Sequence, residues 1–202
     1  MSPRAGLDES SVILAAVELA EKKGTENVTM ATLARKLGVK TPSLYNHIAS
    51  LKSLQNKMAI HALRHLYADV SEAASGKSGD ESVASIARAY VNFARQKPGL
   101  YQSTLQAPDV NDLEYQKAGS SLVDLILEKM SYLELDEDQA LHMVRGLRSI
   151  LHGFASLEQL GGFGLPLKVN TTLDVIIQTY LTGIKTQKAH NKKNEGDLPG
   201  RI

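Results

Sequence analysis

Across residues 27–68 the chain carries six cationic side chains, Arg35, Lys36, Lys40, Lys52, Lys57 and Arg64, and three histidines, His47, His61 and His65, with no Asp or Glu among them. The 202-residue chain has a net charge of only +1, so the remainder sums to −5. Charge segregated in this way suits a surface that attracts a polyanion, and equally a solvated basic face; charge alone does not separate the two. His61 and His65 stand four apart, a spacing that can ligate a metal from one side of a helix. No Glu partner lies beside them, and no metal site is expected. Covalent and hydrolytic chemistry has little support. The chain has no Cys, hence no thiol nucleophile, disulfide framework or thiolate zinc site. It contains neither G-x-S-x-G nor H-E-x-x-H. Gly76-Lys77-Ser78 echoes the end of a phosphate-binding loop, but Ser71 stands where that motif needs its first Gly. The expectation is a protein without enzyme activity and without a cofactor.

The basic window needs elements to hold it. Hydrophobic residues make up 43% of the chain, enough for a core. Residues 1–8 hold no apolar run and no stretch is apolar enough to span a bilayer, so a cytoplasmic protein with no signal peptide and no membrane partner is expected. Helical spacing is evident throughout. Residues 10–23 place Ile13, Ala16, Val17 and Ala20 on one face, with Ser10 or Ser11 as cap and Gly24 as stop. Thr29 opens a short helix over 30–37, with Leu33, Ala34 and Leu37 inward and Gly38 ending it. Thr41 as cap and Pro42 at the first helical position open a second short helix to about Ile48. Ser50 then caps a long helix to about Ala74. Two short helices around Gly38-Val39-Lys40 make a helix-turn-helix. Helices this short are marginal alone, and these must pack on the first and fourth through Leu33, Ala34, Leu37, Val39, Leu44 and Ile48.

Beyond a polar break at 75–80, Val83, Ala87, Tyr90, Val91 and Ala94 recur at helical spacing up to Pro98-Gly99. A short helix to about Gln106 precedes a break at Pro108. Asn111 or Asp112 starts a helix carrying Leu122, Leu125, Ile126 and Met130. Asp136-Glu137-Asp138 opens a long helix to about Leu160, since acidic residues suit a helix N-terminus. After a Gly-rich loop, Thr171 or Thr172 caps a last helix through Ile184. The fold expected is all-α with about nine helices: a helix-turn-helix domain at 1–50, a helical bundle for dimerisation and ligand sensing at 51–187, and a polar, disordered tail at 188–202.

Three features, Ala34-x-x-Leu37-Gly38-Val39, Leu44-Tyr45-x-His47 and a preceding helix ending in Lys23-Gly24, give the segment 28–48 its character. This segment closely resembles the DNA-binding region of the TetR family of repressors, and the resemblance extends over about residues 10–66. It implies a homodimer that reads a palindromic operator in double-stranded DNA and answers to a small-molecule effector. By the same resemblance, Thr29, Lys40, Thr41, Pro42, Ser43, Tyr45, Asn46 and His47 contact DNA. The chemistry suits those roles. Thr41, Ser43 and Asn46 offer short polar groups to base edges, Tyr45 and His47 offer donors to phosphate, and Pro42 can touch a thymine methyl. The family usually places Lys at the start of the fourth helix, where this chain has Leu51; Lys52 follows and is the candidate substitute.

The pattern Leu147-x-x-x-Leu151-His152-Gly153-Phe154-x-x-Leu157-Glu158-x-x-Gly161-Gly162-Phe163 is similar to a C-terminal subclass of the same family that carries a His-Gly element. Val144, Leu147, Leu151 and Phe154 form one apolar stripe and Leu173, Ile177, Tyr180 and Ile184 another. They are expected to meet a second copy in a four-helix interface, with ordinary intrachain core as the alternative. Tyr67, Tyr90, Phe93, Tyr101, Tyr115, His142 and His152 are candidate walls of an effector pocket, or else core. The function expected is a DNA-binding transcriptional regulator, a repressor released by its effector. The alternative is a helix-turn-helix protein that works through protein–protein contacts.

Overall fold

The computed structural model describes residues 7–105 and 111–196, with side chains up to 189. Among the described residues there are nine α-helices and no strand: α1 Glu9–Lys23, α2 Met30–Leu37, α3 Thr41–Leu44, α4 Leu51–Ala74, α5 Gly79–Gln96, α6 Pro98–Ser103, α7 Leu113–Met130, α8 Glu137–Gln159 and α9 Val169–Gly196. The all-α expectation holds. No helix among them is long and apolar enough to cross a membrane.

Packing divides the chain into two compact units. Unit 1 joins Met1–Ala68 to Phe93–Leu122, and unit 2 joins Asp69–Asn92 to Val123–Ile202. This division does not follow the functional boundary expected after residue 50, because α6 packs on α1 within unit 1. The core of unit 1 gathers Val12, Ala16 and Leu19 of α1, Leu33 and Ala34 of α2, Leu44 of α3, Ile48, and Leu54 and Met58 of α4. Leu37, Val39 and Leu51 pack partly buried against it. Of the face expected for α1, Ala16 and Ala20 are buried, and the buried side extends further towards Val12, Ala15 and Leu19 than the spacing suggests. Ile13 and Val17 are only partly buried. The cap explains where this helix begins. Asp8, rather than Ser10 or Ser11, accepts from the Ser11 amide at 2.7 Å, and the Ser11 hydroxyl accepts from the Asp8 amide in return.

The start of α6 is held by a group far away in sequence. Lys97, its N-cap, makes no side-chain cap bond. Instead the Glu21 carboxylate on α1 accepts from the amides of Gly99 at 3.1 Å and Leu100 at 2.8 Å. Gly99 lies so close to α1 that a Cβ there would stand 2.5 Å from the Ala20 carbonyl carbon. A glycine is therefore required at this position for space, not for an unusual dihedral. Asp112 caps α7 by accepting from the Glu114 and Tyr115 amides, and these bonds, the Tyr115 one foremost, hold its carboxyl below the usual range. The expected breaks at Gln106 and Pro108 lie outside the described residues.

In unit 2, Asp136 caps α8 through the Gln139 amide at 2.8 Å. Helix α9 starts at Val169, two residues before the expected Thr171 cap, and runs on to Gly196 instead of ending near Ile184. The expected tail at 188–202 is thus helical as far as 196, and its remainder lies outside the described residues. No Gly or Pro interrupts residues 184–195. Lys188 anchors the extension, donating to the Leu133 carbonyl and the Glu134 carboxylate, both at 2.7 Å.

The apolar stripes of α8 and α9 need a correction. Val144, Leu147, Leu151, Phe154, Leu173, Ile177 and Ile184 are all at most 5% exposed within a single chain. Tyr180 is half-buried and donates to the Met143 carbonyl at 2.5 Å, and Gly146 leaves the space its hydroxyl occupies. These eight residues close the core of unit 2 instead of facing a second copy, because the two helices satisfy each other's apolar faces first.

Candidate nucleic-acid interface

The helix-turn-helix is built from local signals. Thr29 caps α2 in a reciprocal box with Thr32, whose amide donates to the Thr29 hydroxyl at 3.1 Å while the Thr29 amide donates to Thr32 Oγ1 at 2.9 Å. Gly38 adopts a left-handed conformation (φ 68°, ψ 29°), and the Val39 amide then reaches back to the Ala34 carbonyl at 3.0 Å. This closing turn satisfies the last carbonyls of α2 and aims the chain into α3. Lys40, not Thr41, is the N-cap of α3, so Thr41 stands at the first helical position and Pro42 at the second. The regular α-turn ends at Leu44, earlier than the expected Ile48. Beyond it the Tyr45 amide bonds the Pro42 carbonyl at 3.2 Å and the His47 amide bonds that of Leu44 at 2.9 Å, a tighter winding that still carries the chain to Ile48.

Leu44 and Ile48 anchor this segment in the core, 0% and 1% exposed. The residues between and before them are left outside. Tyr45 is 54% exposed, and Thr29, Lys40, Pro42 and Asn46 are exposed too, while Thr41, Ser43 and His47 are half-buried. The Tyr45 ring thus stands largely in water, beside short polar side chains and a proline, and is not a core residue.

At the start of the fourth helix Leu51 and Lys52 face different ways. Ser50 accepts from the Ser53 amide at 3.1 Å and so opens α4, as expected. Leu51 turns inward, partly buried against the unit 1 core, and Lys52 is exposed. The first turn of α4 contains no acidic residue, so Lys52 sits against the positive end of the helix dipole, an unfavourable place for a cation unless an anion joins it.

Ion pairs divide the six cations of the basic window. Lys36 bonds Glu18 at 2.8 Å, Lys57 bonds Glu9 at 2.8 Å and Arg64 bonds Glu114 at 2.8 Å. All three acids lie outside residues 27–68, so the segment that reads as purely basic in sequence is half-neutralised in space. The sequence could not reveal this, because partners 18 to 50 residues apart follow no local spacing. Arg35, Lys40 and Lys52 are exposed and have no ion pair among the described residues. His61 and His65 lie with ring centroids 4.4 Å apart and planes tilted by 54°, and burial, with His65 and Arg64 nearby, pushes the His61 imidazole below its ordinary pKa. Among the described residues no three ligating side chains gather for a metal.

The effector candidates fall in both units. Phe93, Tyr101 and Tyr115 are buried in unit 1, Tyr115 among Ala59, Ile60, Leu63 and Ala118. Tyr90 is buried and His152 half-buried in unit 2, where His142 is exposed; Tyr67, in unit 1, is 37% exposed.

Comparison with known proteins accords with this geometry. Residues 12–50 match the family described as bacterial regulatory proteins, tetR family, and residues 83–180 match the tetracyclin repressor-like C-terminal domain. The chain is 34% identical over 187 residues to the HTH-type transcriptional regulator YobS of Bacillus subtilis, covering 91% of this chain and 96% of that one. It is 31% identical over 158 residues to an HTH-type regulator of Mycobacterium tuberculosis, covering 78% and 72%. Among solved structures, a TetR variant from Acinetobacter baumannii in complex with minocycline superposes with a TM-score of 0.67 at 16% identity, over 90% of this chain and 98% of that one. With a capped helix-turn-helix that leaves Tyr45 outside, a matched C-terminal domain and a relative aligned over almost its whole length, this chain belongs to the TetR family of DNA-binding transcriptional regulators.

Proposed function

We propose that this regulator is a repressor that binds a palindromic operator as a homodimer and leaves it when a small molecule binds. The observation that carries the reading is the exposed Tyr45, held beside Thr41, Pro42, Ser43 and Asn46 by the buried pair Leu44 and Ile48. In this reading Thr41, Ser43 and Asn46 meet base edges, and Thr29, Lys40, Tyr45, His47 and Lys52 meet phosphate. Two such heads must enter the major groove about 34–36 Å apart, or a multiple of that. An effector acts by favouring a different spacing, to the extent of its differential affinity for the two states.

The second copy docks on the outer faces of α8 and α9. Val175, Gln178, Thr179, Thr182, Gly183, Thr186 and Gln187 form an exposed face without charge, and Leu157 and Leu160 extend the apolar area on α8 and its end. Charge depletion with exposed apolar groups is what the core of an interface needs. Gly153 and Gly183 have open space where a Cβ would stand, so nothing within the chain demands glycine there, and their bare backbone leaves room for another helix to come close. The related fold solved with minocycline supports a small organic effector, for which Phe93, Tyr101 and Tyr115 within unit 1, or Tyr90, His142 and His152 within unit 2, are the candidate contacts. A regulator of this kind works in the cytoplasm.

Selection of bound sequences from random duplex DNA, followed at two salt concentrations, tests the reading. The expected result is an enriched palindrome whose binding weakens as salt rises. Tyr45→Ala and His47→Ala abolish that binding and leave the dimer intact. No enrichment from a folded dimer at low salt would sink the proposal.

A further inference from the structure

We propose that Arg35 is a phosphate contact of the reading head, and that it completes with Lys40 and Lys52 the set of cations that holds DNA, while Lys36, Lys57 and Arg64 take no part. The inference rests on the DNA-binding reading and adds to it which charges do the holding. Its basis is the division of the six cations by their partners. Three are within 2.8 Å of a carboxylate on α1 or α7 and present almost no net charge to an approaching polyanion. The other three keep theirs.

Arg35 and Lys36 are neighbours in sequence but not in orientation. Successive residues of a helix point about 100° apart. Met30, Leu33 and Ala34 define the buried face of α2. Lys36 leaves on the flank next to α1, where Glu18 meets it. Arg35 projects a further step away from α1, on the side it shares with exposed Ala31, one turn earlier. Its carbonyl accepts from the Gly38 amide at 3.3 Å, so it sits at the base of the turn that leads through Lys40 into α3. A guanidinium there, with five donors in a fixed fork and no carboxylate to satisfy them, is equipped for a phosphate flanking the groove that α3 enters.

A competing role for Arg35 is local: a cation in the last turn of α2 complements the helix dipole. That role would affect stability and leave the salt dependence of DNA binding untouched, so the two roles separate in one experiment. The full-length dimer is titrated with its selected operator over a roughly fourfold range of salt, where each phosphate contact contributes about 0.9 to the slope of log K against log salt. Arg35→Gln is expected to reduce the slope by about two per dimer, one contact in each subunit, and Arg35→Lys to restore it. Lys36→Gln is expected to leave the slope at the parent value. An unchanged slope for Arg35→Gln, with or without a lower Tm, overturns the proposal, and so does an equal loss from Lys36→Gln. A parent protein whose binding is insensitive to salt overturns the DNA-binding reading itself, an outcome distinct from either.

Discussion

The two compact units solve the same problem, holding helices together, by different means. Unit 1 is closed by an apolar core and by backbone brought against backbone: α6 lies on α1 with only a glycine between them, and a buried cluster from α1 to α4 fixes the reading turn. Unit 1 carries interhelix ion pairs too, Lys36–Glu18, Lys57–Glu9 and Arg64–Glu114, but in unit 2 the polar clasps gather chiefly on one helix, α9. Arg88 on α5 bonds Asp174 on α9 at 2.7 Å, Lys185 on α9 bonds Asp80 at 2.6 Å, Tyr132 donates to the same carboxylate at 2.5 Å, and Lys188 grips the turn at Leu133 and Glu134. The two units therefore tolerate change in different places. Contacts of the first kind have no slack and little sensitivity to solvent, whereas partly exposed ion pairs are individually weak and respond to salt and pH.

The contrast is broken most directly in the interior. Leu147→Ala removes a fully buried side chain of unit 2 and is expected to cost roughly 2–5 kcal/mol, seen as a fall in denaturant midpoint that does not depend on protein concentration. Val175→Asp, on the outer face of α9, is expected to do the reverse: the dimer dissociates at least about tenfold more readily, by analytical ultracentrifugation, with the fold preserved. If Leu147→Ala disperses the dimer while keeping a stable chain, the assignment of the buried stripes to the core is wrong. In unit 1, Gly99→Ala drives a methyl into the α1 backbone and is expected to cost up to roughly 3 kcal/mol, a fall of roughly 6–12 °C in Tm by calorimetry. Glu21→Gln keeps the size of that side chain but halves its accepting capacity at the start of α6. A loss of about 1 kcal/mol in urea denaturation is expected.

The smallest effect concerns pH. Bonds from Lys185 and Tyr132 hold the Asp80 carboxyl below its ordinary value. Its contribution to stability is therefore present above about pH 4 and is lost as pH falls through the lowered folded value. Burial, then the bond to Asp80, raises the Tyr132 phenol, so its contribution is present below about pH 10 and fades as pH climbs beyond. The clasp should thus flatten the stability of unit 2 between those limits, and Asp80→Asn should remove part of the decline at both ends. Identical pH profiles for Asp80→Asn and the parent would show that the clasp contributes nothing.

How far the sequence could be read follows the same division. The turn from Thr29 through Gly38 to Pro42 is written in local chemistry, a cap, a left-handed glycine and a helix-opening proline, and the structure follows it to within a residue or two. The inner face of α8 was equally legible as apolar, but not what covers it, since Leu147 looks the same whether it meets α9 of its own chain or of another. Lys36 was legible as a cation and not as a neutralised one, because Glu18 belongs to a different helix. The long end of α9 was hidden for a further reason: a polar, Lys-rich composition reads as solvated coil until a remote carbonyl such as that of Leu133 anchors it.

The clasp between Glu21 and Gly99 also has a bearing on how the protein is made. The two residues are 78 positions apart. At a synthesis rate of roughly 5–20 residues per second, α1 waits roughly 4–16 s for the segment that covers its flank. Helix α1 is thus made well before the segment that covers its flank, because unit 1 needs residues 93–122 and the chain must first lay down 69–92, which belong to unit 2. A nascent chain that has made α1 to α4 already holds the buried cluster that fixes the reading turn, and what waits for later synthesis is the cover that α6 lays on the flank of α1.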